Sequence, residues 1–221
     1  MYQTVLFDLD GTLLDTITDL AEAGNVVCRA NDWPEYSIEE FRGMVGHGIE
    51  NLIARLSPPE AQSEARRRQT LEQFNAYYDC HSADHTRPFP GMEDLMARLK
   101  SDGVQLAVYS NKPDQFTQDL IRRFYPGVFD WIQGKRADFP VKPDPAGVRA
   151  ILRALNADPA RALFVGDSAT DVATGHNANL PVCAVTWGYR PRASLIAAGA
   201  DFLADTPAQL ENVICKEASF A

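Results

Sequence analysis

Cysteine is scarce: the 221 residues hold four, Cys28, Cys80, Cys183 and Cys215, scattered with no metal-site spacing. That pattern excludes a cysteine-rich zinc site and a disulfide-stapled scaffold, and predicts free thiols in a reducing compartment. Positive charge is also in the minority, with 21 Lys and Arg against 30 Asp and Glu, a formal net charge of −9. Such a field argues against binding nucleic acid or an anionic membrane, so an anionic substrate would need a local site that attracts it. No apolar run approaches the length needed to cross a bilayer, and Met1 to Asp8 is too short for a signal peptide. Repeats and low-complexity tracts are absent as well. The chain reads as cytoplasmic.

What is there has a clear rhythm. Thr4-Val5-Leu6-Phe7 is a β-rich run ending in acid, read as a buried strand. From about Asp15 to Asp84 apolar residues recur at helical intervals, as at Ile17, Leu20, Ala21 and Val27 and again at Ile49, Leu52, Ile53 and Leu56. No strand is expected in that region. Beyond Arg87–Gly91 the pattern alternates: helix over 92–101, strand over 104–109, helix over 115–124, short strand over 128–132, helix over 145–155 and strand over 162–165. A helix over 171–178, a strand over 182–186, a short helix over 193–198 and a last strand over 201–204 follow, with a frayed tail after Asn212. Strands separated by helices predict an α/β fold with a parallel sheet covered on both faces, here carrying a helical insert of some seventy residues.

In open parallel sheets, ligands bind outside the carboxyl ends of the strands. Four polar groups stand at such ends: Asp8 and Asp10 in FDLDGTLLD, Ser110-Asn111-Lys112 after the second strand, Lys142 in VKPDP, and Asp167-Ser168 with Asp171 after ALFVG. Asp8, Asp10 and Asp167 offer hard oxygen ligands, which favour Mg²⁺ over zinc or copper. Ser110, Lys142 and loop N–H groups suit phosphate oxygens. A carboxylate can itself attack phosphorus, dividing one hard step in two, while a metal screens the repulsion. Each element taken singly has a plainer reading. Asp-Gly marks tight turns, Ser110-Asn111 could cap a helix, Lys142 could be a solvated lysine, and GDSATD could be an N-cap with a polar first turn. Their order at successive strand ends favours one joint site.

With those four motifs in order, the chain resembles the haloacid dehalogenase-like (HAD-like) hydrolase superfamily of aspartate-nucleophile phosphatases, over nearly its whole length. Gly43–Leu56, Phe89–Pro113 and Val185–Phe202 resemble its phosphoglycolate phosphatase-like branch. The resemblance implies a Rossmann-like three-layer core (residues 1–14 and 86–221) around the parallel sheet and an inserted α-helical cap domain (15–85). It implies that Asp8 is the nucleophile, that Asp10 is the acid and then the base, and that Asp8, Asp10 through its backbone carbonyl, and Asp167 hold Mg²⁺, with Asp171 in or beside that ligand set. Ser110 and Lys142 would bind the transferring phosphoryl, with Thr12, Asn111 and, from the cap, Gly46 and His47 also on the substrate. Asp10 further separates this layout from the dehalogenase branch, which lacks an acid there because a leaving halide needs no proton.

The expectation is therefore a Mg²⁺-dependent phosphatase of a small phosphorylated metabolite, with 2-phosphoglycolate as best single substrate, acting as monomer or homodimer. Its rivals are a sugar-phosphate or nucleotide phosphatase, a pyrophosphatase, a β-phosphoglucomutase-like mutase, and a non-catalytic binding protein of this fold. His81 and His85 read as hinge residues, the three tryptophans as packing, and Phe89, Phe116, Phe124 and Phe129 as contacts of the α/β core.

Overall fold

The structure, a computed structural model, describes residues 1–215. The chain runs through β1 (Thr4–Phe7), β2 (Leu14–Asp15), α1 (Ile17–Ala30), α2 (Ile38–Met44), α3 (Ile49–Leu56), α4 (Glu64–His81) and β3 (Arg87–Pro88). It continues with α5 (Met92–Ser101), β4 (Gln105–Pro113), α6 (Asp114–Phe124), β5 (Trp131–Lys135), α7 (Ala146–Ala154) and β6 (Ala162–Gly166). Then come α8 (Ala169–Asn177), β7 (Val182–Val185), α9 (Arg192–Ala197), β8 (Phe202–Ala204) and α10 (Pro207–Cys215).

Six strands form one sheet in the order β5-β4-β1-β6-β7-β8, with every pairing parallel. Alternate side chains of a strand face opposite sides, so each strand feeds two cores. Val5, Phe7, Leu106 and Val108 pack with Leu95 of α5, Leu120 of α6 and Leu210 of α10. Leu6, Ala107 and Tyr109 pack on the other side with Val148 of α7, Val172 of α8 and Leu195 of α9. A strand covered on both faces tolerates no polar interior, which is why β1 is an unbroken, wholly buried run. This is the Rossmann-like three-layer α/β arrangement.

A third apolar cluster lies within the insert, where Ile17, Leu20 and Val27 of α1 meet Phe41, Ile53, Leu56, Phe74 and Tyr78. Ser37 starts α2 with a reciprocal capping box to Glu40, and Ser63 caps α4. These side chains satisfy helix-end N–H groups that short helices cannot leave bare. The chain leaves and re-enters the sheet layer through an antiparallel ribbon, Leu14 opposite Pro88 and Asp15 opposite Arg87. Asp19 locks that return: its carboxylate accepts from the N–H groups of His85 (2.9 Å) and Thr86 (2.8 Å) and from the Thr86 hydroxyl (2.7 Å).

Several details differ from the pattern read along the sequence. The strand expected over 104–109 runs on to Pro113, carrying Ser110, Asn111 and Lys112 inside it. The strand expected over 128–132 begins at Trp131, because the Asp130 carboxylate accepts from the Leu106 N–H at 2.9 Å and ends the preceding turn. Phe116 faces the insert, its ring 5.0 Å from Tyr78 in an edge-to-face contact. The chain past Asn212 stays helical to Cys215, since Leu210 and Ile214 are buried in the core; the rest of the expected tail lies outside the described residues. Among the described residues no helix is long and apolar enough to cross a membrane.

Candidate active site

Because β4, β1 and β6 are neighbours, their carboxyl ends bring Ser110, Asp8 and Asp167 to one rim of the sheet. Lys142, from the loop before α7, reaches the same place. Its Nζ donates to Asp171 Oδ1 at 2.7 Å and lies 2.7 Å from Asp8 Oδ1, out of hydrogen-bond alignment with it. Asn111 fixes the Lys142 loop from both sides, accepting from the Lys142 N–H at 2.8 Å and donating to its carbonyl at 3.3 Å. Ser110 Oγ accepts from the Lys112 N–H at 3.2 Å, which leaves its own proton free for a ligand.

Asp171 answers the N-cap reading and the functional one at once. Its Oδ2 accepts from the Ser168 N–H (3.1 Å) and hydroxyl (2.5 Å) in a capping box that opens α8, while Oδ1 takes Lys142. The cap thereby orients the carboxylate that orients the lysine.

Asp8, Asp167 and Asp171 are all buried and each presents an oxygen within 4.8 Å of the others. Three acids face one ammonium there, a costly arrangement without further positive charge. Burial, then the neighbouring Asp171, pushes Asp8 up to about 7 against the pull of Lys142. Burial with Asp171 and Asp8 likewise raises Asp167 well above the carboxylate range. Lys142 goes the other way: Asp171 and Asp8 outweigh its burial and hold it firmly protonated. Three buried acids around a single ammonium, with oxygens this close together, fit a hard divalent cation. Gly11 belongs to this packing. At φ 81° it holds a backbone that other residues rarely adopt, and a Cβ there would lie 2.3 Å from Asp167 Oδ2.

Asp10 is not in the three-acid cluster. Its carboxylate accepts from Thr16 Oγ1 at 2.6 Å and from Lys112 Nζ at 3.0 and 3.4 Å. Together Asp8, Asp10, Ser110, Asn111 and Lys112 form the polar side of a cavity. The insert supplies the other side with Leu20, Val45, Ile49 and Leu52, plus the backbone of Gly46 and Gly48. Two residues expected on the substrate sit elsewhere. The ring of His47 turns to Thr170, with Nδ1 3.5 Å from the hydroxyl, and is not part of the cavity lining. Thr12 is buried away from that lining, its hydroxyl without a partner.

Sequence reasoning gave no role to four residues that shape the site. Thr16 and Lys112 hold Asp10. Tyr189 donates its N–H to Asp167 Oδ2 at 2.6 Å and accepts from the Thr16 N–H at 2.8 Å through its hydroxyl. Arg190 bridges sheet and insert by donating to the carbonyls of Arg42 and Val45. The last two follow β7, whose carboxyl end the strand-end rule also covers, so a signal was present.

The family model for haloacid dehalogenase-like hydrolases matches residues 5–185. The chain is 32% identical over 219 residues to the phosphoglycolate phosphatase of Vibrio vulnificus (strain CMCP6), covering 95% of each. A crystal structure of a candidate phosphoglycolate phosphatase from Lactobacillus delbrueckii subsp. bulgaricus superposes with a TM-score of 0.92 at 32% identity, over 98% of this chain and 99% of that one. CbbY from Rhodobacter sphaeroides, solved in complex with phosphate, follows at a TM-score of 0.76 and 29% identity, over 95% and 96%. The chain belongs to the haloacid dehalogenase-like hydrolase family. Within it, the chain is a hydrolase of the phosphatase kind.

Proposed function

We propose that the protein is a Mg²⁺-dependent phosphatase that hydrolyses a small phosphorylated metabolite, 2-phosphoglycolate, to glycolate and phosphate through a phosphorylated Asp8. An Asp8 oxygen attacks phosphorus and the ester oxygen leaves, taking a proton from the Asp10 carboxyl. Asp10, now ionised, accepts a proton from the water that attacks the phosphoaspartate, and phosphate departs with Asp8 restored. Asp8, Asp167 and the Asp10 carbonyl would hold the Mg²⁺, with Asp171 beside them, and the ion would supply positive charge that favours an ionised Asp8 next to a dianion. Lys142 and the Ser110 hydroxyl stabilise the transferring phosphoryl, an effect worth about 10²-fold or more per donor.

In this reading residues 15–85 are a cap over a core of 1–14 and 86–221, excluding bulk water from the cavity. The free, unpaired Cys28 and Cys183 fit a cytoplasmic location. One observation carries the proposal: three carboxylates, a buried lysine and a free serine hydroxyl meet at neighbouring strand ends beside one cavity. The experiment is phosphate release from 2-phosphoglycolate and p-nitrophenyl phosphate with Mg²⁺ and with EDTA. Turnover that requires Mg²⁺ is expected. No turnover of either ester, or equal turnover in EDTA, overturns it.

A further inference from the structure

One cation on the cavity holds Asp10 but is not among the groups that touch the phosphoryl in that reading. Lys112 is buried, its side chain 1% exposed, and Nζ donates to the Asp10 carboxylate at 3.0 and 3.4 Å. Beside it stands Tyr78 of α4, fully buried. The ammonium lies 4.8 Å from the Tyr78 ring centre, within cation–π distance. Across the cavity, Leu20, Val45, Ile49 and Leu52 offer no acceptor. Among the described residues Lys112 is the only cation lining the cavity, and it faces that aliphatic wall.

We propose that Lys112 is a specificity-determining residue that binds a carboxylate on the organic part of the substrate, with Tyr78 backing its ammonium. The inference rests on the phosphatase reading above, in which Asp10 touches the ester oxygen. Lys112 Nζ is 3.0 Å from that same carboxylate, so it lies within about 6 Å of the ester oxygen, two hydrogen-bond lengths away. A carboxylate on the carbon next to the ester oxygen falls within that reach. A second phosphate would bring two more negative charges to a single lysine already beside Asp10. Sugar hydroxyls would be left unpaired against the aliphatic wall. A lysine that served Asp10 alone would need neither a face on the cavity nor an aromatic ring behind it.

The test compares kcat/KM with Mg²⁺ for 2-phosphoglycolate and for 2-hydroxyethyl phosphate, which replaces the carboxylate by a neutral alcohol, with p-nitrophenyl phosphate as reference. Wild type is expected to prefer the carboxylated ester by about 30- to 100-fold, the scale of a hydrogen bond to a charged group. Lys112→Met is expected to erase most of that preference, chiefly through KM for 2-phosphoglycolate, and Lys112→Arg to restore part of it. Equal losses on both esters would reduce Lys112 to a support for Asp10 and overturn the proposal. So would a wild-type enzyme that turns over both esters alike, a result that needs no folded variant. If wild type turns over none of the three esters, the phosphatase reading fails first and this inference with it.

Discussion

At the carboxyl end of β1, β4 and β6, three carboxylates and a lysine are buried together with one ammonium to offset three negative charges. The insert over residues 17–81 buries aliphatic and aromatic side chains against one another and closes its helix ends with serines. The first region gives up stability to hold charge where water cannot reach it; the second is ordinary amphipathic packing. The insert meets the rim mostly through backbone and apolar groups, as when Arg190 takes the carbonyls of Arg42 and Val45. Buried charge and apolar packing thus occupy different stretches of the chain, and substitutions should divide along the same line.

The sharpest break is expected at Asp8. Asp8→Asn should cut turnover of p-nitrophenyl phosphate by ~10⁴-fold or more, the scale seen when a nucleophile is lost. Its circular dichroism should be unchanged, because asparagine keeps the shape of the side chain, removes a carboxylate crowded by two other acids and leaves Lys142 paired with Asp171. Turnover near wild type would end the comparison. Next comes Lys142→Met, which leaves Asp8 and Asp171 buried without their counter-charge and should cost about 3–5 kcal/mol in urea unfolding. A cost below about 1 kcal/mol would show that water or metal already compensates those acids.

Metal should act on the rim alone. Asp8 rises from 3.8 to about 7 on folding, so without metal the folded state holds a proton that the unfolded chain has released between those values. Stability from this group therefore falls as pH climbs from about 4 through about 7. Mg²⁺ at a hundred times its Kd should return about 2.7 kcal/mol at pH 8. The gain should be smaller at pH 5.5, where protons compete, and Asp167→Asn should abolish it; melting curves in Mg²⁺ and EDTA report both. The smallest effect is expected in the insert, where Ile53→Val should cost about 0.5–1.5 kcal/mol. Its kcat on p-nitrophenyl phosphate should stay within about twofold, since Ile53 packs in the apolar cluster of the insert. A large loss would mean that packing inside the insert transmits to Asp8.

The motif residues were legible because strand ends are marked in one dimension: an apolar run stops and an acid, serine or glycine follows. Boundaries were less so. Whether β5 starts at 128 or 131 depends on the Asp130 carboxylate finding the Leu106 N–H, a contact 24 residues apart in the chain. Phe116 looked like a core residue because helical periodicity says which face is apolar, not what lies opposite it. His47 between two glycines suggested a substrate contact, but its ring turns to Thr170 while the glycine backbones line the cavity.

By itself the sequence determined the alternation of strands and helices, the helical insert and the order of the acids and lysine at the strand ends, because those follow from local periodicity and composition. Only the tertiary structure decided that Asp171 both caps α8 and holds Lys142, that Asp10 turns to Lys112 and Thr16 while Asp8 faces Asp167, and that Tyr78 stands against Lys112. Those are contacts between residues far apart in the chain, fixed by the sheet order and by how the insert folds back over it, and no local rule encodes them.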